Sequence, residues 1–499
     1  MPATFILLVR KNRQIIITSL LFFIAVAVII LGTLRRDLFY PDETRIVYIA
    51  RHISEANPLI IKFGPQKYYQ KPPFYFWLVS PLAHLKLNIA KVALVLFNVI
   101  LAFILAKINV SFLRKENSSA AALSFWLIIT SSIYFSMSVI IRMDMLYNLF
   151  LSLSLIIFYL GYKRERRVLF VLSGIFSFLA CFTKGGFGFF IPFVSTLLFA
   201  LWRKKVFLWK GFLISWFCAV GFILAWLIGF NLADPGYLRH MLFIQTWGRA
   251  FAPFAHARGV FYYFLFFGAA FFPWSLLLFP YFYHFSIRKI AEWEMFYLCW
   301  IGGGILVLTL IQSKNVMYLL PLTVPVASLA AVELARDKKK RLAIIYILFG
   351  SLFFVLLAGG VWFRKNIVSY SVFFLFVLVC LLLYFFTLRG KEKAFAYFLS
   401  AWALLLSLAL VFIMPVVSQR NGLRRLAKLV SSEASSLMPI CVMQDNLLSL
   451  SLYLDYPLRL AGRNLASCPR PFLLVGRKED KLPFMLLKKI NKFTLYYVR

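Results

Sequence analysis

Long apolar runs, each near the 17 to 25 residues or so that a bilayer crossing requires, alternate with short basic turns through most of the chain. Read as spans, they fall at 15–34, 88–112, 119–140, 145–161, 167–183, 186–202, 207–230, 259–286, 294–311, 315–335, 342–362, 367–388 and 394–416. The pattern predicts a polytopic α-helical membrane protein of about 13 transmembrane helices. Residues 74–86 form a weaker run, preceded by Pro72-Pro73 and interrupted by Pro81. Counting it as a span would reverse the sidedness of every later basic turn. It is therefore expected to lie at the interface as an amphipathic helix.

With the N-terminus cytoplasmic, Arg114-Lys115, Lys163-Arg164, Arg166-Arg167, Arg203-Lys204-Lys205, Arg288-Lys289, Lys338 to Arg341 and Arg389 to Lys393 share one side, as positive charge should. The other side receives loop 35–87, the turn at Arg142, loop 231–258 and the tail. The first run follows Arg10, Lys11 and Arg13 and is longer than a signal-peptide core, so it reads as a retained anchor. After residue 416 the composition changes. Short β-like runs at 440–443, 471–475 and 493–498 sit among serine-rich turns and helical segments. The expected organisation is a membrane domain over 1–416 and a small periplasmic α/β domain over 417–499.

Composition excludes a soluble protein, with 62% hydrophobic residues and a mean hydropathy of +0.83. The net charge of +37 would otherwise point to nucleic acid. Here the basic residues lie in short turns between spans, so the charge reports topology. Six cysteines without a CxxC pair argue against a metal cluster. Cys441 and Cys468, both in the tail, are the pair that could form a disulfide. No phosphate-binding loop, dinucleotide motif or internal repeat is evident.

Asp42, Glu43, Arg45, Lys71, Asp144, Lys184, Arg249, His256 and Lys314 all map to the outer side. A polar group at a membrane boundary must be satisfied by water, protein or ligand, so their convergence marks a candidate site. Asp42-Glu43 after Pro41 can supply a general base or a sugar ligand, or can simply favour a helix N-terminus. Lys71 stands before Pro72-Pro73, where the backbone is held extended. It can meet a phosphate or snorkel to the headgroups. Asp144 can pair with Arg142 as a solvated turn or face the same cavity as Asp42. Lys184 precedes Gly185-Gly186, which either lets a ligand approach the backbone or makes a plain tight turn. Loop 231–258 interleaves Arg239, His240, Arg249, His256 and Arg258 with aromatic residues, suiting phosphate and sugar or an ordinary aromatic belt. Ser313-Lys314 and Tyr318 add a cation and a ring at the outer end of a span.

In order along the chain, Tyr40-Pro41-Asp42-Glu43-Thr44-Arg45, Tyr69-Gln70-Lys71-Pro72-Pro73, Asp144, Thr183-Lys184-Gly185, Arg249 to His256 with Tyr262-Tyr263, Pro273-Trp274 and Ser313-Lys314 to Tyr318 resemble the bacterial aminoarabinose transferases. That family lies within the GT-C superfamily of membrane glycosyltransferases, which includes the protein O-mannosyltransferases. The likeness covers residues from about 15 to 336. It implies a sugar donor carried on undecaprenyl phosphate, a cavity open to the periplasm and transfer to lipid A or another extracytoplasmic acceptor. It assigns Lys71 and Arg249, with Lys314, to the donor phosphate. Asp42, Glu43 and Asp144 take the catalytic acidic positions, and Arg45, Lys184, His256 and Tyr318 other contacts with substrate. The family's metal ligands are replaced here by Gln70, Gln245 and Thr246, so no metal is assigned. A monomer in the bacterial inner membrane is expected, without nucleic acid. Two other readings, a flippase for lipid-linked glycans and an O-antigen ligase or polymerase, share such substrates. A transporter would place its charges near the midplane and show repeat symmetry, and a ligase would not call for the Asp-Glu and Lys-Pro-Pro motifs.

Overall fold

The computed structural model describes residues 23–53, 57–243, 258–284, 290–336, 414–415, 418, 422–434, 439–454, 458–461, 468–477, 484–490 and 493–498. Among these, six helices are long and apolar enough to cross a membrane, or eight if each of two bent pairs is one span. The expected spans at 342–362, 367–388 and 394–416 lie outside the described residues, apart from the last few positions.

Helix α1 (Phe23–Arg35) is followed by a segment that holds α2 (Asp42–Arg51), a two-stranded hairpin of β1 (Lys62–Phe63) and β2 (Gln66–Lys67), and α3 (Phe74–Ala83). Tyr75, Phe76 and Val79 of α3 are buried while Leu78 is exposed. Next come α4 (Leu87–Glu116), α5 (Ser118–Ile129) and α6 (Ser132–Ser138), then α7 (Asp144–Lys163), α8 (Arg167–Lys184), α9 (Phe187–Arg203), α10 (Val206–Ala233) and the short α11 (Pro235–Arg239). Helix α7 runs through the centre of the bundle, with nearly every side chain buried. Helix α10 lies at the edge and leaves Phe217, Leu224, Ile228 and Leu232 exposed, as a lipid-facing surface would be.

Two expected spans are not straight. The run at 119–140 bends by 59° between Ile129 and Ser132. The run at 259–286 is broken by 103° between Tyr262–Ala270 and Trp274–Tyr283, so a single span there is corrected to a broken one. Pro273 has no N–H to continue the helix, which a hydropathy average cannot register. The two breaks satisfy each other. Ser132 N donates to Phe272 O at 2.9 Å, the Ser132 hydroxyl donates to the Ala269 and Ala270 carbonyls at 2.7 Å, and Trp274 Nε1 donates to Thr130 Oγ1 at 3.0 Å. Backbone groups released in an apolar layer are thereby paired inside the protein.

The tail forms a helix (Arg424–Glu433) and a mixed five-stranded sheet in the order β4-β3-β5-β7-β6. Strand β3 (Ile440–Val442) lies parallel to β4 (Leu458–Leu460) and β5 (Phe472–Arg477). Strand β7 (Phe493–Val498) runs antiparallel to β5 and to β6 (Met485–Ile490). Cys441 and Cys468 are joined by a disulfide. Asp37, past the end of α1, holds this unit to the membrane part. Its carboxylate accepts from the Arg424 N–H at 2.9 Å and from the Tyr453 hydroxyl, and its own N–H donates to Ser418 Oγ at 3.0 Å. Gly422 packs so closely on Asp37 that a Cβ would collide with the carboxylate.

Candidate active site

Helix α2 presents Asp42 and Glu43 in its first turn, where negative charge suits the helix dipole. Neighbouring positions on a helix point about 100° apart, so the two carboxylates part company. Glu43 turns inward and is fully buried. It accepts from Arg36 Nη2 at 2.8 Å, from the Phe39 N–H at 2.8 Å and from the Ile141 N–H at 2.7 Å, with a second bond from Arg36 Nη1. With its oxygens so occupied and no solvent contact, Glu43 is in no position to receive a proton from a substrate. The sequence expectation of a catalytic pair thus narrows on geometry: Glu43 ties α2 and the 35–41 segment to the 139–141 turn.

Asp42 faces the other way and is 42% exposed. It pairs with Arg45 Nη2 at 2.9 Å and with Arg142. Arg142 Nε in turn donates to Asp144 Oδ2 at 3.0 Å, and Lys184 Nζ reaches Asp144 Oδ1 at 2.6 Å. The result is a row of alternating charges, Arg45, Asp42, Arg142, Asp144 and Lys184, that runs from solvent into the bundle. Its inner members are dry, with the Asp144 and Lys184 side chains 1% and 3% exposed. Burial works against the Arg142 charge, but Asp144 and Asp42 outweigh it and hold its pKa above the usual arginine range.

The local sequence explains how these groups are placed. Asn98 Nδ2 on α4 donates to the Ile140 carbonyl at 2.7 Å and to the Arg142 carbonyl at 3.2 Å, fixing the turn that carries Arg142. Helix α8 stops at Lys184 because Gly185 adopts a φ of 103°, which strains any other residue. The Lys184 ammonium then lies over the Tyr147 ring at 4.8 Å and the Tyr318 ring at 5.0 Å. Asp42, Arg45, Asp144, Lys184 and Tyr318 are therefore brought together as one cluster. Arg142 was visible in the sequence only as a possible turn partner, yet it stands at the centre. Tyr75 of α3, fully buried with no hydrogen-bond partner for its hydroxyl among the described residues, was not anticipated; an aromatic in an apolar run gives no signal of its own.

Lys71 is half-buried beside Gln70, where the chain enters α3. Lys314 does not join the row. It is 3% exposed, its ammonium donates to the Ile311 carbonyl at the end of helix Glu292–Leu310, and burial lowers its pKa. Arg249 and His256, like Gln245 and Thr246, lie outside the described residues. Among the described residues no three His, Cys, Asp or Glu side chains converge on a point, and Gln70 offers only an amide oxygen.

Beyond Arg45 opens a cavity of about 630 Å³, walled by the β1–β2 hairpin, by residues 68–70, by His240 after α11 and by residues 443–446 and 460 of the tail. Lys67 pairs with Asp234, the Tyr237 hydroxyl donates to the Tyr68 carbonyl at 2.5 Å, and Tyr69 stacks on His240 with centroids 4.0 Å apart. Residues 67–69 are thus clamped to α11 and the residues that flank it.

The whole described architecture can be placed among known folds. It matches the crystal structure of ArnT from Cupriavidus metallidurans bound to undecaprenyl phosphate with a TM-score of 0.81, at 18% identity, over 96% of this chain and 97% of that one. The apo form of the same protein gives 0.79. The chain therefore shares the fold of that protein. In sequence, the chain is 24% identical over 377 residues, 71% of its length and 67% of the relative's, to the undecaprenyl phosphate-alpha-4-amino-4-deoxy-L-arabinose arabinosyl transferase of Yersinia pestis. The protein of the same name from Pectobacterium atrosepticum is 25% identical over 316 residues, covering 59% of this chain and 55% of that one. No family model matches the chain. The aminoarabinose transferases anticipated from the motifs are thus its relatives in sequence and in fold.

Proposed function

We propose that this chain transfers a sugar from a polyprenyl phosphate, of the undecaprenyl type, to an acceptor at the periplasmic face of the inner membrane. The observation that carries the reading is the Arg45–Asp42–Arg142–Asp144–Lys184 row, buried at one end and open at Asp42. Charges gathered at the ends of the bundle rather than near its midplane favour a transferase over a transporter, whose ligands belong near the midplane.

In this reading the N-terminus is cytoplasmic, residues 1–416 carry the catalysis, and the tail of 417–499 is periplasmic. Lys71 and Arg249 hold the donor phosphate. Arg142, already fixed by two carboxylates, adds positive potential without needing to reorganise. The acceptor oxygen attacks the anomeric carbon as the bond from that carbon to the phosphate oxygen breaks. Polyprenyl phosphate departs with the electron pair. For a hydroxyl acceptor the proton passes to Asp42, the member of the row that faces solvent, and then to water. Asp144 keeps Arg142 and Lys184 charged and in place.

The test is mass spectrometry of lipid A and surface glycans from cells with and without the gene. A sugar-bearing species should vanish on deletion, return with the wild-type chain and stay absent with Asp42→Ala or Lys71→Ala at equal membrane abundance. Full restoration by both variants would overturn the proposed site.

A further inference from the structure

The 630 Å³ cavity beside Arg45 is built from amides and rings rather than from free cations. Gln66 and Gln70 face it from the hairpin side, Gln444 and Asn446 from the tail. Among the described residues none of these four side-chain amides is engaged by another protein group, although three of them are half-buried. A half-buried amide without a partner is unfavourable unless water or a ligand supplies one. The stacked Tyr69 and His240 rings provide a flat apolar surface next to them. Amides that both donate and accept, set beside an aromatic face, match a hydroxyl-bearing sugar ring.

The charges on the same walls disfavour a phosphate. Arg45 is committed to Asp42 and Lys67 to Asp234. Asp445 adds a carboxylate that makes no ion pair among the described residues, so among the described residues the walls offer no uncompensated Arg or Lys for a phosphate. A phosphate dianion placed here would lose its water and meet a nearby carboxylate.

We infer that this cavity is the acceptor subsite and that it receives an uncharged, hydroxyl-rich saccharide, so that the nucleophile is a sugar hydroxyl rather than a phosphate oxygen. The inference rests on the transferase reading above. It places the acceptor between the membrane part and the tail, and Arg45 joins that cavity to Asp42 through their 2.9 Å ion pair. It also explains why the tail is held so firmly to Asp37: two of the four amides belong to it.

The full chain in lipid nanodiscs can be titrated with a di-N-acetylglucosamine disaccharide, with its bisphosphate ester and with undecaprenyl phosphate. The neutral disaccharide should bind at least as tightly as the bisphosphate. The double variant Gln444→Ala/Asn446→Ala should weaken it about tenfold, the loss expected for two modest hydrogen bonds, and leave undecaprenyl phosphate affinity unchanged. Gln66→Ala, on the opposite wall and outside the tail, should weaken it severalfold and so guards against a misfolded tail. Preference for the bisphosphate by tenfold or more, no binding of the disaccharide, or disaccharide binding untouched by both variants would overturn the inference. Failure of undecaprenyl phosphate to bind the wild-type chain would instead strike the transferase reading itself.

Discussion

The bundle carries a cluster of charges at each end, and the two are built on different terms. At the end opposite Asp42, Glu292 accepts from the Tyr162 hydroxyl at 2.6 Å and pairs with Lys163 at 2.9 Å and with Arg203. Both cations there are 37% exposed, so water competes for every contact. At the Asp42 end the row starts in solvent and finishes in a dry interior. The first arrangement fastens helix ends. The second stores fixed charge where water cannot screen it, which is the condition under which charge can act on a substrate.

The largest effect should come from the dry end of the row. Asp144→Asn keeps the volume but leaves Arg142 and Lys184 without their shared counter-charge, at a cost of roughly 3–5 kcal/mol. Thermal unfolding of the purified variant should shift down by many degrees; an unchanged midpoint would show that the buried cations find other partners. Glu43→Gln should behave alike, lowering membrane abundance, whereas Asp42→Ala should keep abundance and lose transfer by about 10²-fold or more. Opposite results for these adjacent residues are the sharpest test of the divided roles of α2. Glu292→Ala, at the exposed end, should change stability by no more than about 1 kcal/mol and leave transfer intact.

The smallest effect concerns the Lys67–Asp234 clamp beside the cavity. The Lys67 ammonium holds the Asp234 carboxyl below its usual range, and Asp234 holds Lys67 above its own. The Asp234 contribution is thus present above the ordinary aspartate pKa and is lost as pH falls through the lower folded value. The Lys67 contribution is lost as pH rises through its elevated one. Protection from hydrogen exchange in the 60–70 and 235–239 segments should fall only at those extremes, and Lys67→Ala should weaken the acid limb, leaving the part due to the Tyr237 N–H.

The helices were legible because a bilayer imposes one length and one chemistry on each span. Observed and expected limits agree within a few residues for α4, α7, α8, α9 and α10. What escaped depended on single residues that an average over a window hides, such as the break at Pro273 and the bend after Thr130. In the tail, β3, β5 and β7 follow the marked runs, but Leu458–Leu460 is too short and Met485–Ile490 too basic to have been noticed. In the site, residue types and sidedness brought Asp42, Asp144, Lys184 and Tyr318 into view. The direction of a side chain from its helix did not follow from the sequence, and this is why Glu43 looked like a partner of Asp42 and Arg142 like an ornament of a turn. The missing signal for Glu43 was Arg36, a charge at the inner edge of the first outer loop that a buried carboxylate seven residues later could neutralise.

Asp37 bears on how the protein is made. Asp37 is 6% exposed and accepts from the neighbouring Leu38 N–H at 2.8 Å, yet two of the groups that satisfy its carboxylate lie 387 and 416 residues further along the chain. During synthesis the first helix is in the membrane long before Arg424 and Tyr453 have left the ribosome, so for most of translation Asp37 must stay hydrated or borrow another partner. The outer wall of the cavity, and with it any acceptor binding, arrives last. On the inference that this cavity takes the acceptor, truncation within the tail should leave an inserted but idle protein.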